Sequence, residues 1–235
     1  MTAYNVWGKR IAFPPLTDVI QGLGFGAMVL YGAAAIPGRS SWVLGVIFAF
    51  VIVFIVMING IHGCLRDLAN DLNYGARTTA IFLGARPSGI NGLILPLRFR
   101  LYALALQVLL IGIILIPLFY NWFGYPLMTW TITIGILLIF ILLSLILLVV
   151  SAGSIDNRSR LNFLGMLHIS ISLSSLLVLF AAYLSSGVLE LVLVIYLVPI
   201  CSNKILWDRL TRRKISYVEN SLFESVKGDN SNYSP

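Results

Sequence analysis

The sequence predicts an all-α fold: a polytopic membrane helix bundle of about six transmembrane helices with both termini inside. Three observations predict it. Of the 235 residues, 59% are hydrophobic and 11% are charged, against about 25% charged in soluble domains. The apolar residues are gathered into runs close to the roughly 20 residues that a spanning helix needs. The basic residues fall almost entirely on alternate connections between those runs.

The elements follow in chain order. Residues 1–17 carry Lys9, Arg10 and "FPP" but no short apolar core, so they do not read as a cleaved signal peptide. The first apolar run is 18–36. After the short "PGRSS" connection comes the run 42–62, opened by Trp42. Residues 63–100 form a polar interruption. Within it, "INGLILPL" (90–97) is apolar but too short to span, and reads as a re-entrant or interfacial piece. The runs 101–119 and 127–150 flank "NWFGYPL", where Trp122 and Tyr125 sit as an aromatic belt would place them. The basic segment 151–161 precedes the runs 162–184 and 188–203, joined by "SSG". Residues 203–226 pattern as an amphipathic helix whose basic face suits anionic lipid. Residues 227–235 have the composition of a disordered end. The expected organisation is a transmembrane domain, 1–203, with a cytoplasmic tail, 204–235.

Orientation follows from the cations. The pieces 1–17, 63–100, 151–161 and 204–235 hold 15 of the 16 Lys and Arg residues, leaving only Arg39 on the other side. The positive-inside rule then puts both termini inside. It also accounts for the net charge of +7. No basic run is interleaved with aromatics as a nucleic-acid groove requires, so no nucleic-acid partner is expected. Cys64 and Cys201 lie far apart without a CxxC pattern, which argues against a disulfide framework or zinc site. Both read as packing residues. The runs 42–62 and 127–150 are unbroken at their centres and ionisable residues are almost absent at mid-depth. Both features argue against a proton-coupled or ion-driven transporter.

The chemistry concentrates in "LRDLANDLNYGARTTAIFLG" (65–84). If the helix of 42–62 continues past the membrane surface, Asn59, Gly63, Asp67 and Asp71 recur every four residues and share one face. Gly63 leaves space there, and Arg66 and Asn70 flank it. Two carboxylates one turn apart suit Mg²⁺, which takes one or two carboxylates and completes its shell with phosphate and water. Arg66 and Arg77 could grip phosphate oxygens bidentately. "NYG" (73–75) would end the helix and turn the loop back over the site. The alternative reading is a set of surface ion pairs and topology signals at a helix end.

The stretch "GCLRDLAND" (63–71) followed by "GARTTAIFLG" (75–84) resembles the first aspartate-rich region and following loop of the UbiA superfamily of intramembrane prenyltransferases, usually NDxxDxxxD and then G-x-R-T-x-x-x-x-L-G. The position agrees: cytoplasmic end of the second span, N-terminus inside. "KRIAFPPLTDVIQG" (9–22) loosely resembles the segment that leads into the family's first helix. The resemblance covers about residues 9–90. It implies that Asp67 and Asp71 ligate Mg²⁺ bridging to an isoprenoid diphosphate donor, and that Arg77 contacts the diphosphate. It also implies that an allylic cation is captured by an aromatic or other lipophilic acceptor. Asp67, Asp71 and Arg77 are thus the expected catalytic residues, in an integral, multi-pass protein of a bacterial plasma membrane whose site faces the cytoplasm.

The chain departs from the family at several points. The motif's leading Asn and Asp are replaced by Gly63 and Cys64, and Asn59, one turn earlier, would supply an amide oxygen to the metal. Family members usually have about nine helices and a second aspartate-rich motif. Two remnants compete for that second motif. In "SIDNRSRLNFLGMLH" (154–168), Asp156 would be a metal ligand, while Arg158 and Arg160 would bind diphosphate, with Arg160 where a carboxylate would stand. In "SNKILWDRLTRRK" (202–214), Asn203 and Asp208 follow the sixth run. The alternative for Arg158 and Arg160 is a pair of topology anchors.

His62 is a candidate proton acceptor and His168 lies within a span. For both, a hydrogen-bonded core histidine is the competing reading. Tyr102, Phe163 and Tyr183 either line a prenyl pocket or are ordinary lipid-facing or packing residues. Glu190 lies at the outer end of the last run. The expected activity is Mg²⁺-dependent prenyl transfer, an alkyl transferase reaction other than methyl transfer. The alternatives are a UbiA-type terpene cyclase and a non-catalytic prenyl-lipid-binding protein of the same fold. The acceptor and any protein partner are not legible.

Overall fold

The computed structural model describes residues 12–35, 42–88, 92–120, 134–135, 137–139, 141–146, 158–180, 187, 190–191 and 194. Residues Met1–Ala182 form one compact unit. Its helices are α1 (Pro14–Ala34), α2 (Trp42–Met57), a π-helical segment (Ile58–Gly63), α3 (Cys64–Asn73), α4 (Thr79–Phe82), α5 (Leu97–Phe119) and α6 (Arg158–Leu179). A short antiparallel pair, β1 (Arg86–Ser88) and β2 (Gly92–Ile94), lies between α4 and α5, with Arg86 opposite Ile94. A further helical stretch lies within 134–146. In the second unit, Tyr183–Pro235, the described residues Gly187, Glu190, Leu191 and Val194 are helical and exposed.

Among the described residues, four helices are long and apolar enough to cross a membrane: Pro14–Ala34, Trp42–Asn73, Leu97–Phe119 and Leu161–Leu179. They correspond to the predicted runs 18–36, 42–62, 101–119 and 162–184. The run 127–150 is described only in part, and 188–203 is described only at isolated positions.

The burial pattern of these helices is the reverse of a water-soluble bundle. The buried positions of α1 are Pro14, Thr17, Asp18, Gly22 and Gly26. Its exposed positions include Leu16, Ile20, Leu23, Phe25, Met28 and Tyr31. On α5, Gln107 is fully buried while Leu101, Val108 and Leu109 are exposed. On α6, His168, Ser172 and Ser175 are fully buried while Phe163 is exposed. Polar groups turned inward and large apolar side chains turned outward is what a lipid solvent selects, since hydrocarbon tails cover Leu and Phe at no cost but cannot satisfy a hydroxyl or an amide.

Prolines 14 and 15 open α1, where a missing N–H is harmless and the fixed φ already suits a helix. α1 then packs on α2 through small residues. A Cβ on Gly22 would lie 2.7 Å from the Ile52 carbonyl oxygen, and one on Gly26 would lie 2.8 Å from Ile52 Cγ1. This glycine-x-x-x-glycine spacing lets two backbones meet as closely as apolar helices do in lipid. On its other side α2 meets α5, and α6 rests on α5, α3 and the π segment. The apolar core runs between them through Phe50, Met57, Ile61, Leu68, Phe99, Ala103, Leu110 and Ile114, all fully buried.

The 32 residues Trp42–Asn73 are helical without a break. At ~1.5 Å per residue they reach about 48 Å, which exceeds a hydrocarbon core of roughly 30 Å. The polar end, α3, therefore extends beyond the apolar layer. It stops where "NYG" predicts: Gly75 has φ +64, and the Ala76 N–H bonds the Asp71 carbonyl at 2.8 Å. This is a left-handed cap that a side chain would disfavour. Gly84, at φ +89, repeats the device, with Ala85 N–H on the Ala80 carbonyl at 2.8 Å. Within the apolar stretch 90–97, Gly92–Ile94 form β2 and Leu97 opens α5.

Candidate functional site

Asn59, Gly63, Asp67 and Asp71 all line one cavity of about 200 Å³, together with Pro14, Thr17, Asp18, Cys64, Arg66 and Arg77–Thr79. The four therefore share a face, and the π segment helps them do so. Positions four apart on an α-helix drift by about 40° per step. A π turn, closed by i→i+5 bonds such as Cys64 N–H to the Asn59 carbonyl, takes more residues per turn and removes part of that drift. Asn59 thereby stays on the cavity side of α3.

Each wall has a local cause. α3 carries the carboxylates on its cavity side while Leu65 and Leu68 bury its opposite side. The Gly75 cap turns the chain back, so Arg77, Thr78 and Thr79 close over the same space. Asp67 accepts two hydrogen bonds from Arg66, Nε at 3.1 Å and Nη2 at 2.9 Å. Their side chains are 42% and 58% exposed respectively, so this is a solvent-screened pair. The Asn59 Nδ2 donates to Gln21 Oε1, which commits the amide nitrogen and leaves Oδ1 as the remaining acceptor. Cys64 is buried and reduced.

Among the predicted residues, Asn59, Arg66, Asp67, Asp71 and Arg77 come together on this cavity. Arg158 and Arg160 lie in the first turn of α6. Asp156, Asn203, Asp208, Tyr183 and Cys201 lie outside the described residues. Phe163 is half exposed on the outer face of α6. Tyr102 lies instead against Gly60, where a Cβ would come 2.7 Å from its hydroxyl.

Asp18 is a wall residue that the sequence reasoning passed over. It is 5% exposed, and one oxygen accepts a hydrogen bond from Thr79 Oγ1 at 2.5 Å. Asp18 is the first residue of the apolar run 18–36. The signal was nevertheless available: a carboxylate within helix reach of Gln21, Gly22 and Gly26 marks the interior face of a membrane helix.

The two histidines form a separate polar chain. His62 Nε2 and His168 Nδ1 are 3.0 Å apart, and His168 Nε2 is 2.7 Å from Gln107 Oε1. A glutamine oxygen accepts, so His168 carries its proton on Nε2 and His62 donates from its own Nε2. The chain ties the π segment to α6 and α5. Both rings are thus hydrogen-bonded in the interior.

Mg²⁺ is the ion expected from the aspartate pattern in the sequence. The cavity's donors are carboxylate, amide and hydroxyl oxygens, with the Cys64 thiol as the one soft group among the described lining residues. That set fits a hard cation. Among the described residues no three His, Cys, Asp or Glu side chains converge to hold a metal.

Comparison of the chain with protein-family models, curated proteins and solved structures gives no match.

Proposed function

We propose that the chain is a divergent, short member of the UbiA superfamily. In this reading it is a six-span, N-in and C-in protein of a bacterial plasma membrane that transfers a prenyl group from an isoprenoid diphosphate to an aromatic or other lipophilic acceptor. The observation that carries the reading is the convergence of Asp67, Asp71, Asn59, Arg66 and Arg77 on one cavity, lined also by Pro14, Thr17 and Asp18 at the start of α1, so that two apolar helices long enough to cross a membrane adjoin it. A molecule with an anionic head and a hydrocarbon tail meets both requirements there.

Asp67 and Asp71, with the Asn59 amide oxygen, would hold Mg²⁺, which neutralises diphosphate charge and makes pyrophosphate a better leaving group. Arg77, on the loop after Gly75, binds a phosphate oxygen. Arg66 lies on the same rim and exchanges Asp67 for the diphosphate when the donor enters. Asp156, just before α6 in the sequence, and Arg158 and Arg160, in its first turn, would be the corresponding second set. The C–O bond of the donor breaks with its electron pair on pyrophosphate, and the allylic cation is sheltered from water by the apolar helices. Stabilising charge at the departing group is the term that preorganised cations supply.

The test is Mg²⁺-dependent pyrophosphate release from geranyl, farnesyl and geranylgeranyl diphosphate by the detergent-purified protein. Asp67→Asn plus Asp71→Asn serves as the matched variant. Release that is lost on chelation, restored by Mg²⁺ and absent in the variant is the expected result. Release equal in both proteins would sink the assignment. A product formed without acceptor would select the terpene cyclase alternative. Binding of a prenyl diphosphate without turnover would select a non-catalytic lipid-binding role.

A further inference from the structure

We propose that the α4–β1–β2 segment is an interfacial element. Its outer surface, joined by Phe13 at the start of α1, lies in the headgroup layer of an anionic phospholipid leaflet. This surface is separate from the cavity and does not depend on what the cavity binds. Phe13, Phe82, Ile94 and Leu97 are 49–68% exposed. The rings of Phe13 and Phe82 meet edge to face, with centroids 5.4 Å apart. On the inner side of the same segment Thr79, Ala80, Ala85 and Leu93 are buried. The segment is therefore amphipathic, and the protein leaves its apolar outer side open, as it does where a partner or a membrane takes over.

What covers that side follows from the helices it joins. Phe13 heads a stripe of exposed residues along α1, Leu16, Ile20 and Leu23, at helical spacing. Leu97 heads a matching stripe along α5, with Leu101, Leu104 and Val108 exposed after it. Both stripes are the lipid-facing sides of apolar helices, so the patch continues a surface that lipid already covers. Helix length sets its depth. At ~1.5 Å per residue, the 21 residues of α1 and the 23 of α5 reach about 31 and 34 Å, close to a hydrocarbon core of roughly 30 Å. Their first turns, and the patch with them, fall at the edge of the apolar layer.

The charge at that edge is positive. Arg86 stands opposite Ile94 in the strand pair, so the two side chains share a face. Arg98 follows Leu97, and both arginines are exposed. Among the described residues no carboxylate pairs with either. Each can lay its stem on the apolar surface and raise its guanidinium to a phosphate. Apolar side chains mixed with arginines at this depth match anionic headgroups above and the first methylenes of the tails below.

The experiment attaches one bimane fluorophore at a time to the full chain in nanodiscs of phosphatidylcholine mixed with phosphatidylglycerol. Cys201→Ser removes one thiol, and the buried Cys64 stays unlabelled. Labels at Ile94→Cys and Leu97→Cys report the patch, with Phe82→Cys as a third position should either disturb the fold. Leu104→Cys is the lipid reference, and Asn70→Cys, exposed on α3, is the water reference. The quenchers are aqueous iodide and either phospholipid carrying a nitroxide near the top of one acyl chain. Nitroxide lipid should quench the patch labels within about threefold of the label at 104, and iodide should quench them at least about threefold less than the label at 70. Nitroxide phosphatidylglycerol should quench the label at 94 about two- to fivefold more than nitroxide phosphatidylcholine, and Arg86→Gln plus Arg98→Gln should erase that difference. Iodide quenching at 94 and 97 equal to that at 70 would put the surface in water and overturn the proposal. Protection from both quenchers would mean that protein covers it, and overturns the proposal equally. Equal quenching by the two lipids overturns the anionic preference, and a preference that survives the double variant overturns the role of the two arginines.

Discussion

Replacing Gly22 with alanine should push α1 and α2 apart, whereas the same replacement two residues on should not. At Gly22 the new methyl would lie 2.7 Å from the Ile52 carbonyl oxygen and 3.1 Å from Val56 Cγ2. The first of these is backbone, so it cannot rotate aside. At Gly24 nothing lies within 4 Å of the new methyl. Both changes remove a glycine from a helix interior and gain the same ~1 kcal/mol of helix propensity. That term cancels in the comparison. What remains is the overpacking cost at Gly22 alone, about 1–3 kcal/mol for one inserted methyl in a tight interface. Gly24→Ala should therefore be at least as stable as the parent, and Gly22→Ala about 1–3 kcal/mol less stable than Gly24→Ala. Reversible unfolding of the detergent-solubilised proteins in mixed micelles reads the difference directly. Equal stabilities for the two variants would refute the close α1–α2 crossing, and with it the means by which α1 brings Asp18 to the cavity.

Three further outcomes follow from the same geometry. Gln107→Leu leaves the His168 imidazole N–H without its acceptor but also removes a buried amide nitrogen that has no partner, so its cost in the same unfolding assay should stay below the ~3 kcal/mol upper limit for one unsatisfied buried group. Arg66→Ala should change stability by less than ~1 kcal/mol, because its pair with Asp67 is exposed, yet should raise KM for the diphosphate donor. Arg77→Ala should raise donor KM, and Arg77→Lys should restore it only in part, since a lysine cannot present two parallel N–H groups to phosphate; steady-state kinetics over a donor titration decides both.

Composition and periodicity alone determine a good deal of this protein. A chain so poor in charge has to solvate itself in lipid, and the apolar runs at 18–36, 42–62, 101–119 and 162–184 each mark a helix among the described residues, although the second helix continues past its run to Asn73. The four-residue recurrence of Asn59, Gly63, Asp67 and Asp71 and the stop at "NYG" are equally local. Helix geometry couples neighbours three and four apart, and a glycine free to take positive φ ends the run. Tertiary structure alone decides what faces these residues. Asp18 meets Thr79 from 61 positions away, and His62 meets His168 from 106. No local pattern encodes such pairs, because they depend on how closely α1 crosses α2 and where α6 rests on the π segment. The π turn is likewise invisible in "INGIHG", since one extra residue per turn leaves no mark on hydrophobic spacing. The inward turn of Thr17, Asp18 and Gly22 has the same origin. α1 is apolar along most of its length, and only its packing against α2 selects which narrow stripe is withdrawn from lipid.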